Sequence, residues 1–119
     1  MAGVDDIRLT SDSDRDLAAI GGSTERDLFG KLLALPAAHL RRETRELEWQ
    51  EAGRPVRYSW RIGAFTVVFH VHTAADGRRI HVIEGVVLTR RLRDWAEQES
   101  LGAARRDAAI AKDEREGKT

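Results

Sequence analysis

Hydrophobic and polar side chains alternate through the middle of the chain, residues 56–89. The segments VRYSWRI, AFTVVFHVHT and RRIHVIEGVVLT carry apolar residues mostly at alternate positions, and Gly63 and the turn sequence AADG separate them. Successive side chains of a strand point to opposite faces, so this period of two predicts consecutive antiparallel strands. One predicted face collects the odd positions 65–71, and the other collects the even positions 66–72.

The pattern before these strands predicts a short strand and two helices. IRLT at 7–10 alternates, whereas SDSDRDLAAI at 11–20 opens with capping serine and aspartate residues and is ended by two glycines. In STERDLFGKLLALP the leucines at positions 28, 32 and 35 share one helical face, and Pro36 ends or kinks the segment. The two helices are therefore predicted to form a hairpin.

Residues 37–52 support two interpretations. Their glutamates and arginines favour a helix with Leu40, Glu43 and Leu47 on one stripe. However, the apolar residues Leu47 and Trp49 also occupy alternate positions. This pattern is typical of a strand that the turn EAGRP joins to the next strand. We expect helix to about Arg45 and extended chain after it.

The order of these elements predicts an α+β fold. An N-terminal strand and a helical hairpin pack on a sheet of three to four antiparallel strands, and a C-terminal helix follows. The length suits a single domain over residues 1–119, in which residues from about 102 form a helical, partly frayed extension. The sequence contains no cysteine, which excludes disulfides and thiolate chemistry. It also lacks a signal peptide and an apolar run of membrane-spanning length, so we expect a cytoplasmic protein with no membrane partner.

Charge is concentrated although the net charge is zero. Residues 54–93 carry eight arginines against Asp76 and Glu84, a balance of +6, whereas residues 1–53 carry −4 and residues 94–119 carry −2. Arginine makes paired hydrogen bonds to phosphate and stays ionised in any site. The middle of the chain therefore predicts either a phosphate-binding face or a solvated sheet face, and the sequence leaves both open.

Three of the four histidines lie in this cationic segment. A turn of two or four residues between the strands puts His70, His72 and His81 on one face, whereas a three-residue turn puts His81 on the other. Such a patch is either structural, a zinc site, or a surface for proton transfer beside a bound phosphate. We favour proton transfer over metal binding and expect no metal and no cofactor. His39 is expected to be structural.

The central strands resemble a motif of the RelE/ParE toxin superfamily of bacterial toxin–antitoxin systems. The matching residues are Tyr58, the run Trp60-Arg61-Ile62-Gly63, Phe65 and the run Val67-Val68-Phe69, and the resemblance covers roughly residues 7 to 100. The basic residues after the last strand and the C-terminal helix resemble the HigB and phage Gp49-like branch. The resemblance implies a small toxin that an antitoxin protein neutralises and that cleaves mRNA on the ribosome.

The resemblance also implies a site. Arg61 matches the basic position of the motif, and Arg90 matches the basic residue after the last strand. The expected catalytic residues are Arg61, His81, His70 and Arg90. The expected RNA- and phosphate-binding residues are Arg57, Arg78, Arg79, Arg91, Arg93 and His72.

One departure from the motif bears on activity. The family usually carries an arginine after the aromatic residue of the second strand, where it helps to hold the scissile phosphate, and this chain carries Thr66. The resemblance therefore leaves two functions open. One is a ribosome-dependent mRNA endoribonuclease; the other is a ParE-like or catalytically degenerate member that binds a protein, either gyrase or an antitoxin, without nuclease chemistry.

Overall fold

The computed structural model describes residues 6–99, and a single five-stranded sheet is formed within residues 6–88. Its strands are β1 (Asp6–Leu9), β2 (Arg45–Glu46), β3 (Arg57–Ile62), β4 (Phe65–Thr73) and β5 (Arg79–Leu88). They lie in the order β1-β5-β4-β3-β2, with β1 parallel to β5 and all other pairs antiparallel. The predicted α+β class is confirmed: β2 to β5 form the antiparallel sheet of three to four strands, and the N-terminal strand β1 joins it as a fifth, parallel strand.

Two consecutive helices, α1 (Ser11–Ile20) and α2 (Gly22–Leu32), follow β1. Thr10 caps α1, because its hydroxyl oxygen accepts a hydrogen bond from the Ser13 N–H at 3.2 Å. Gly21 and Gly22 then adopt φ values of 66° and 63°, in the left-handed region that glycine enters without a steric penalty. The glycine pair thus reverses the chain and produces the predicted helical hairpin.

A third helix, α3 (Leu35–Leu40), ends earlier than the sequence predicted. Pro36 lies in its first turn, where the missing N–H is not needed. At the other end Arg42 takes φ 60°; its N–H donates to the His39 carbonyl at 3.1 Å, and the Glu43 N–H donates to the Ala38 carbonyl at 2.9 Å. These two bonds form a Schellman motif, which stops a helix. The prediction of helix to about Arg45 is therefore wrong.

The helices cover one face of the sheet and build the core there. A β-bulge shapes the strands beneath them: Val68 pairs with Gly85 but Phe69 pairs with Ile83, so Glu84 has no partner residue on β4. The extra residue lets two side chains three positions apart on β5 enter the same core. The buried members of that core are Leu17, Leu28, Leu32, Leu35, Ile62, Val67, Phe69, Ile83 and Val86.

The turn between β4 and β5 has an odd length. Thr73 pairs with Arg79, so residues 74–78 form the turn, closed by a hydrogen bond of 2.8 Å from the Ala74 N–H to the Arg78 carbonyl. The predicted turns of two or four residues are therefore wrong, and Gly77, with φ 86°, supplies the left-handed position of the longer turn.

The chain divides into two compact units, residues 1–89 and 90–119. In the second unit residues 92–99 are helical, in agreement with the predicted C-terminal helix. The predicted extension from about residue 102 lies outside the described residues. Across the part of the chain that is described, none of the helices is long and apolar enough to span a bilayer.

Candidate functional site

The sheet face opposite α1 and α2, here called the far face, carries most of the polar side chains of the central strands. Tyr58, Trp60 and Ile62 of β3 pack against the core, so the alternate positions of that strand turn to the far face. The register then aligns β4 with β3. The side chains that share the far face are Arg57, Ser59 and Arg61 on β3, Thr66, Val68, His70 and His72 on β4, and Arg45 on β2.

A histidine–carboxylate pair occupies the middle of this face. His70 Nδ1 lies 3.1 Å from Glu84 Oε2, and the two side chains are 23% and 25% exposed. Glu84 reaches this position from the bulge of β5. When Glu84 is ionised it can only accept, so Nδ1 carries the proton and Nε2 is left as a base. The pair has the arrangement of an oriented general base, and Glu84 was not among the site residues predicted from the sequence.

Two exposed arginines lie elsewhere on the same face, one on β3 and one on β2. Arg61 lies opposite Thr66, is exposed, and donates from Nε to the Gly63 carbonyl at 3.2 Å. Arg45 lies opposite Ser59 and is also exposed. Arg45 was not predicted as a site residue, because residues 37–52 have no clear period and only the pairing of β2 with β3 assigns it a face.

Arg57 shares the far face but is only 6% exposed. Its guanidinium donates to the Trp49 carbonyl at 3.0 Å, and its N–H donates to Gln50 Oε1 at 2.9 Å. The Gln50 amide in turn donates to the Leu47 and Arg57 carbonyls at 2.6 and 2.8 Å. Arg57 thus organises the loop before β3, and the predicted phosphate contact requires its guanidinium to leave Trp49.

Of the two arrangements that the sequence left open for the histidines, the one in which His81 lies on the other face is observed. The odd-length turn pairs Val71 with His81, which places His81 on the helix-covered side, 2% exposed and 6.1 Å from the Phe69 ring. His72 stays on the far face and is exposed. Within residues 6–99 no three metal-binding side chains are grouped.

Arg78, the last residue of the turn, and Arg79, the first residue of β5, point in different directions. Arg78 makes ion pairs with Asp6 at 3.0 Å and Asp76 at 3.2 Å, which tie the turn to β1. The Arg78 N–H donates to the Asp76 carboxylate, and this bond is the main reason that the pKa of Asp76 lies below its ordinary value. Arg79 pairs with Thr73 and therefore lies on the helix-covered side, as His81 does.

The remaining arginines of the predicted site belong to the second compact unit. Arg90 and Arg91 are exposed in a 3-10 turn that follows β5 (Thr89–Arg91). Arg93 lies in the helical segment 92–99, where its Nε is 3.6 Å from Glu97 Oε1.

The family's arginine position is filled by a buried hydroxyl. Thr66 is 3% exposed, and its Oγ1 lies 2.8 Å from Thr89 Oγ1. The Thr89 N–H also donates to the Ala64 carbonyl at 2.8 Å, which joins the start of β4 to the end of β5. At this position the far face therefore offers a satisfied hydroxyl pair instead of a cation, and the nearest cross-strand cation is Arg61.

Comparison with known proteins places this architecture among toxin–antitoxin structures. No family model and no curated protein matches the sequence. One chain of the crystal structure of the toxin–antitoxin complex RelBE2 from Mycobacterium tuberculosis superposes with a TM-score of 0.55 at 18% identity, covering 70% of this chain and 95% of that chain. The chain described here therefore has a RelE-like fold.

Proposed function

We propose that this protein is the toxin of a toxin–antitoxin system, a cytoplasmic ribosome-dependent mRNA endoribonuclease that uses the far face as its active surface. The single observation that carries this proposal is the His70–Glu84 pair, with 3.1 Å between Nδ1 and Oε2 and each side chain about a quarter exposed. A buried structural pair would not leave the imidazole accessible to a substrate.

The chemistry follows from that pair. With Nδ1–H donating to Glu84, His70 Nε2 takes the proton of a ribose 2′-OH as the 2′-oxygen attacks the adjacent phosphorus. A P–O bond forms to the 2′-oxygen, the P–O bond to the 5′-oxygen breaks, and the products are a 2′,3′-cyclic phosphate and a 5′-hydroxyl after protonation of the leaving oxygen. The pair needs neither a metal nor a cofactor for this transfer.

Cations on the same face are proposed to stabilise the negative charge of the transition state. Negative charge grows on the non-bridging phosphate oxygens in the transition state, and guanidinium groups stabilise it. Arg61 and Arg45 are exposed on the far face and take this role, with Arg61 as the member that the family motif implies. Arg90 and Arg91 follow β5 directly and, with Arg93 and His72, are proposed to contact the RNA backbone.

The partner is proposed from the comparison. The similar chain comes from a complex between a toxin and an antitoxin, which supports a cognate antitoxin protein as the neutralising partner here. The basic residues after β5 and the C-terminal helix support the HigB branch.

A specific observation favours a second candidate, a ParE-like or catalytically degenerate protein that binds its target without cleavage. Thr66 is buried and bonded to Thr89, so the far face lacks the arginine that helps to hold a scissile phosphate in the family. On this alternative the His70–Glu84 pair is a structural cross-strand contact.

The first test is inducible expression in a bacterium followed by primer extension on a reporter mRNA. The mRNA is compared in two forms, one with an intact start codon that is translated and one with a mutated start codon that is not. Cleavages inside the reading frame that need translation and that vanish in His70→Ala support the nuclease. An Arg26→Ala variant, changed on the exposed side of α2, serves as the matched control and is expected to cleave like the parent protein. If the folded protein arrests bacterial growth without RNA cleavage, the result supports the ParE-like or catalytically degenerate alternative.

A further inference from the structure

A second group of aromatic and basic side chains lies on the helix-covered side of the sheet, around His39 of α3. The His39 ring stands edge-on to Tyr58 at 4.6 Å, to Phe69 at 5.3 Å and to His81 at 5.8 Å between ring centroids. Phe69 and His81 are almost wholly buried. The imidazole is therefore the contact through which the end of α3 packs on three strands.

His39 also holds the chain that follows it. Its Nδ1 lies 2.7 Å from Thr44 Oγ1, across the Schellman turn and directly before β2. The buried anchors of α3, Leu35 and Ala38, lie earlier in the helix. The His39 imidazole thus links residues 39–44 to the sheet.

Among the charged and titratable groups around this imidazole, Arg79 opposes a positive charge on it. β5 presents Arg79 and His81, and β3 presents the Tyr58 hydroxyphenyl ring, whereas the side chains facing it from β4 are apolar. In the turn after α3, Arg41 and Glu43 pair with each other at 3.0 Å. Burial first, and then the Arg79 charge, lower the pKa of His39 below its ordinary value of 6.5.

We propose that residues 39–44 are an acid-released clasp: neutral His39 holds the end of α3 and the following turn against the sheet, and protonation of His39 releases them. The sign follows from linkage. The unfolded or released segment takes up a proton near the ordinary pKa, whereas the closed form resists it, so closure is complete above pH 6.5 and is lost as the pH falls through the lower pKa of the closed form. This inference does not depend on the proposed nuclease function.

Amide hydrogen exchange of the full chain, followed by NMR between about pH 7.5 and about pH 5.5 and corrected for intrinsic exchange, tests the clasp. The reporters are the N–H groups of Arg42 and Glu43, which are bonded within the motif, and the reference is the Thr10 N–H, bonded to the Ile83 carbonyl at 3.1 Å. We expect protection of both reporters to fall about tenfold more than that of Thr10 at the lower pH. Equal loss at all three amides, or none, overturns the proposal.

Two further measurements assign the effect to His39. His39→Gln keeps a polar group near Thr44 but does not titrate, and it is expected to abolish the differential pH dependence. His72→Gln, at an exposed histidine of the far face, is expected to preserve it. If His39→Gln does not fold, the His39 ring-proton shift of the unmodified protein decides, because it must titrate over the same pH range as the loss of protection. The clasp is contradicted if His39→Gln keeps the pH-dependent loss of amide protection at Arg42 and Glu43. It is also contradicted if His39 titrates over a pH range different from that of the loss of protection.

Discussion

The carboxylate of Asp16 on α1 accepts a hydrogen bond from the backbone N–H of Val86 on β5, with 3.1 Å between Oδ2 and N. Val86 lies beyond the end of β1, whose last residue Leu9 pairs with Ile83, so β5 has no neighbouring strand on that side at Val86. A buried N–H that loses its ladder partner must find another acceptor. Asp16 supplies it and at the same time fastens the first helix to the last strand.

Asp16→Ala is expected to lower the free energy of unfolding by about 1–3 kcal/mol, because it leaves a buried N–H without an acceptor. Urea unfolding followed by circular dichroism measures this loss. Asp27→Ala, at an exposed position on α2, is the control and is expected to change stability by less than about 0.5 kcal/mol. An equal loss in both variants would show that the effect is not specific to the Val86 bond.

Asp16→Asn separates the hydrogen bond from the charge. Burial is the main cause that raises the pKa of Asp16 above 3.8, against the Val86 bond, which lowers it. A raised folded pKa means stability that is present below the unfolded pKa and is lost as the pH rises through the folded pKa. The asparagine oxygen still accepts from Val86, so we expect Asp16→Asn to be at least as stable as the parent at about pH 7, with the difference shrinking toward about pH 4. Urea titrations at the two pH values check this.

On the nuclease proposal, His70→Ala is expected to reduce the cleavage rate by about 10² to 10⁴, the usual contribution of a general base. Glu84→Gln keeps the shape of the partner but removes the charge that orients the imidazole, and we expect a smaller loss with a changed pH–rate profile. Single-turnover cleavage on translating ribosomes measures both. A Glu84→Gln enzyme with the rate and pH profile of the parent would show that the carboxylate is structural.

Arg45→Ala is expected to weaken binding of a single-stranded RNA and to reduce the slope of log affinity against log salt by about one, because one phosphate contact is lost. Fluorescence anisotropy at several salt concentrations measures the slope. Arg26→Ala, on the helical side, removes the same charge and is expected to leave the slope unchanged. If the two variants lose the same affinity, net charge and not the far face governs binding.

Arg42 is the only residue other than glycine in residues 6–99 with positive φ, at 60°. Side chains carry a steric cost of roughly 1–2 kcal/mol in this region, which glycine avoids at some entropic cost in the unfolded chain. We therefore expect Arg42→Gly to raise the free energy of unfolding by about 0.5–1 kcal/mol. Arg41→Gly, at φ −81°, is the neighbouring control and is expected to lower it, as thermal unfolding of the two variants will show.

The sequence predicted the parts of this structure that local periodicity specifies. The helix after Thr10, the reversal at Gly21 and the strand around Val67 each follow from caps, glycines or alternation within a few residues. The face of His81 did not, because it depends on whether the turn between β4 and β5 has an odd or an even number of residues, and the sequence AADG fits both.

The candidate site depended even more on contacts distant in sequence. Glu84 joins His70 only because β5 contains a bulge, and Gly85, a glycine within the strand pattern IEGVV, is a local signal of it. Arg45 joins the far face only because two residues of β2 pair with β3. Arg57, by contrast, was predicted to be an exposed cation, but it is buried under the loop that it holds.

The parallel pairing of β1 with β5 also determines when the sheet can be completed during synthesis. Asp6 lies beside Ile80, and Leu9 beside Ile83, so the first strand has no partner until most of residues 1–89 has left the ribosome. Pairings this distant in sequence close slowly, since the chain loses loop entropy before it gains the contact. A nascent chain interrupted before β5 lacks both Glu84 and the acceptor strand for β1, and is therefore expected to emerge without a formed far face.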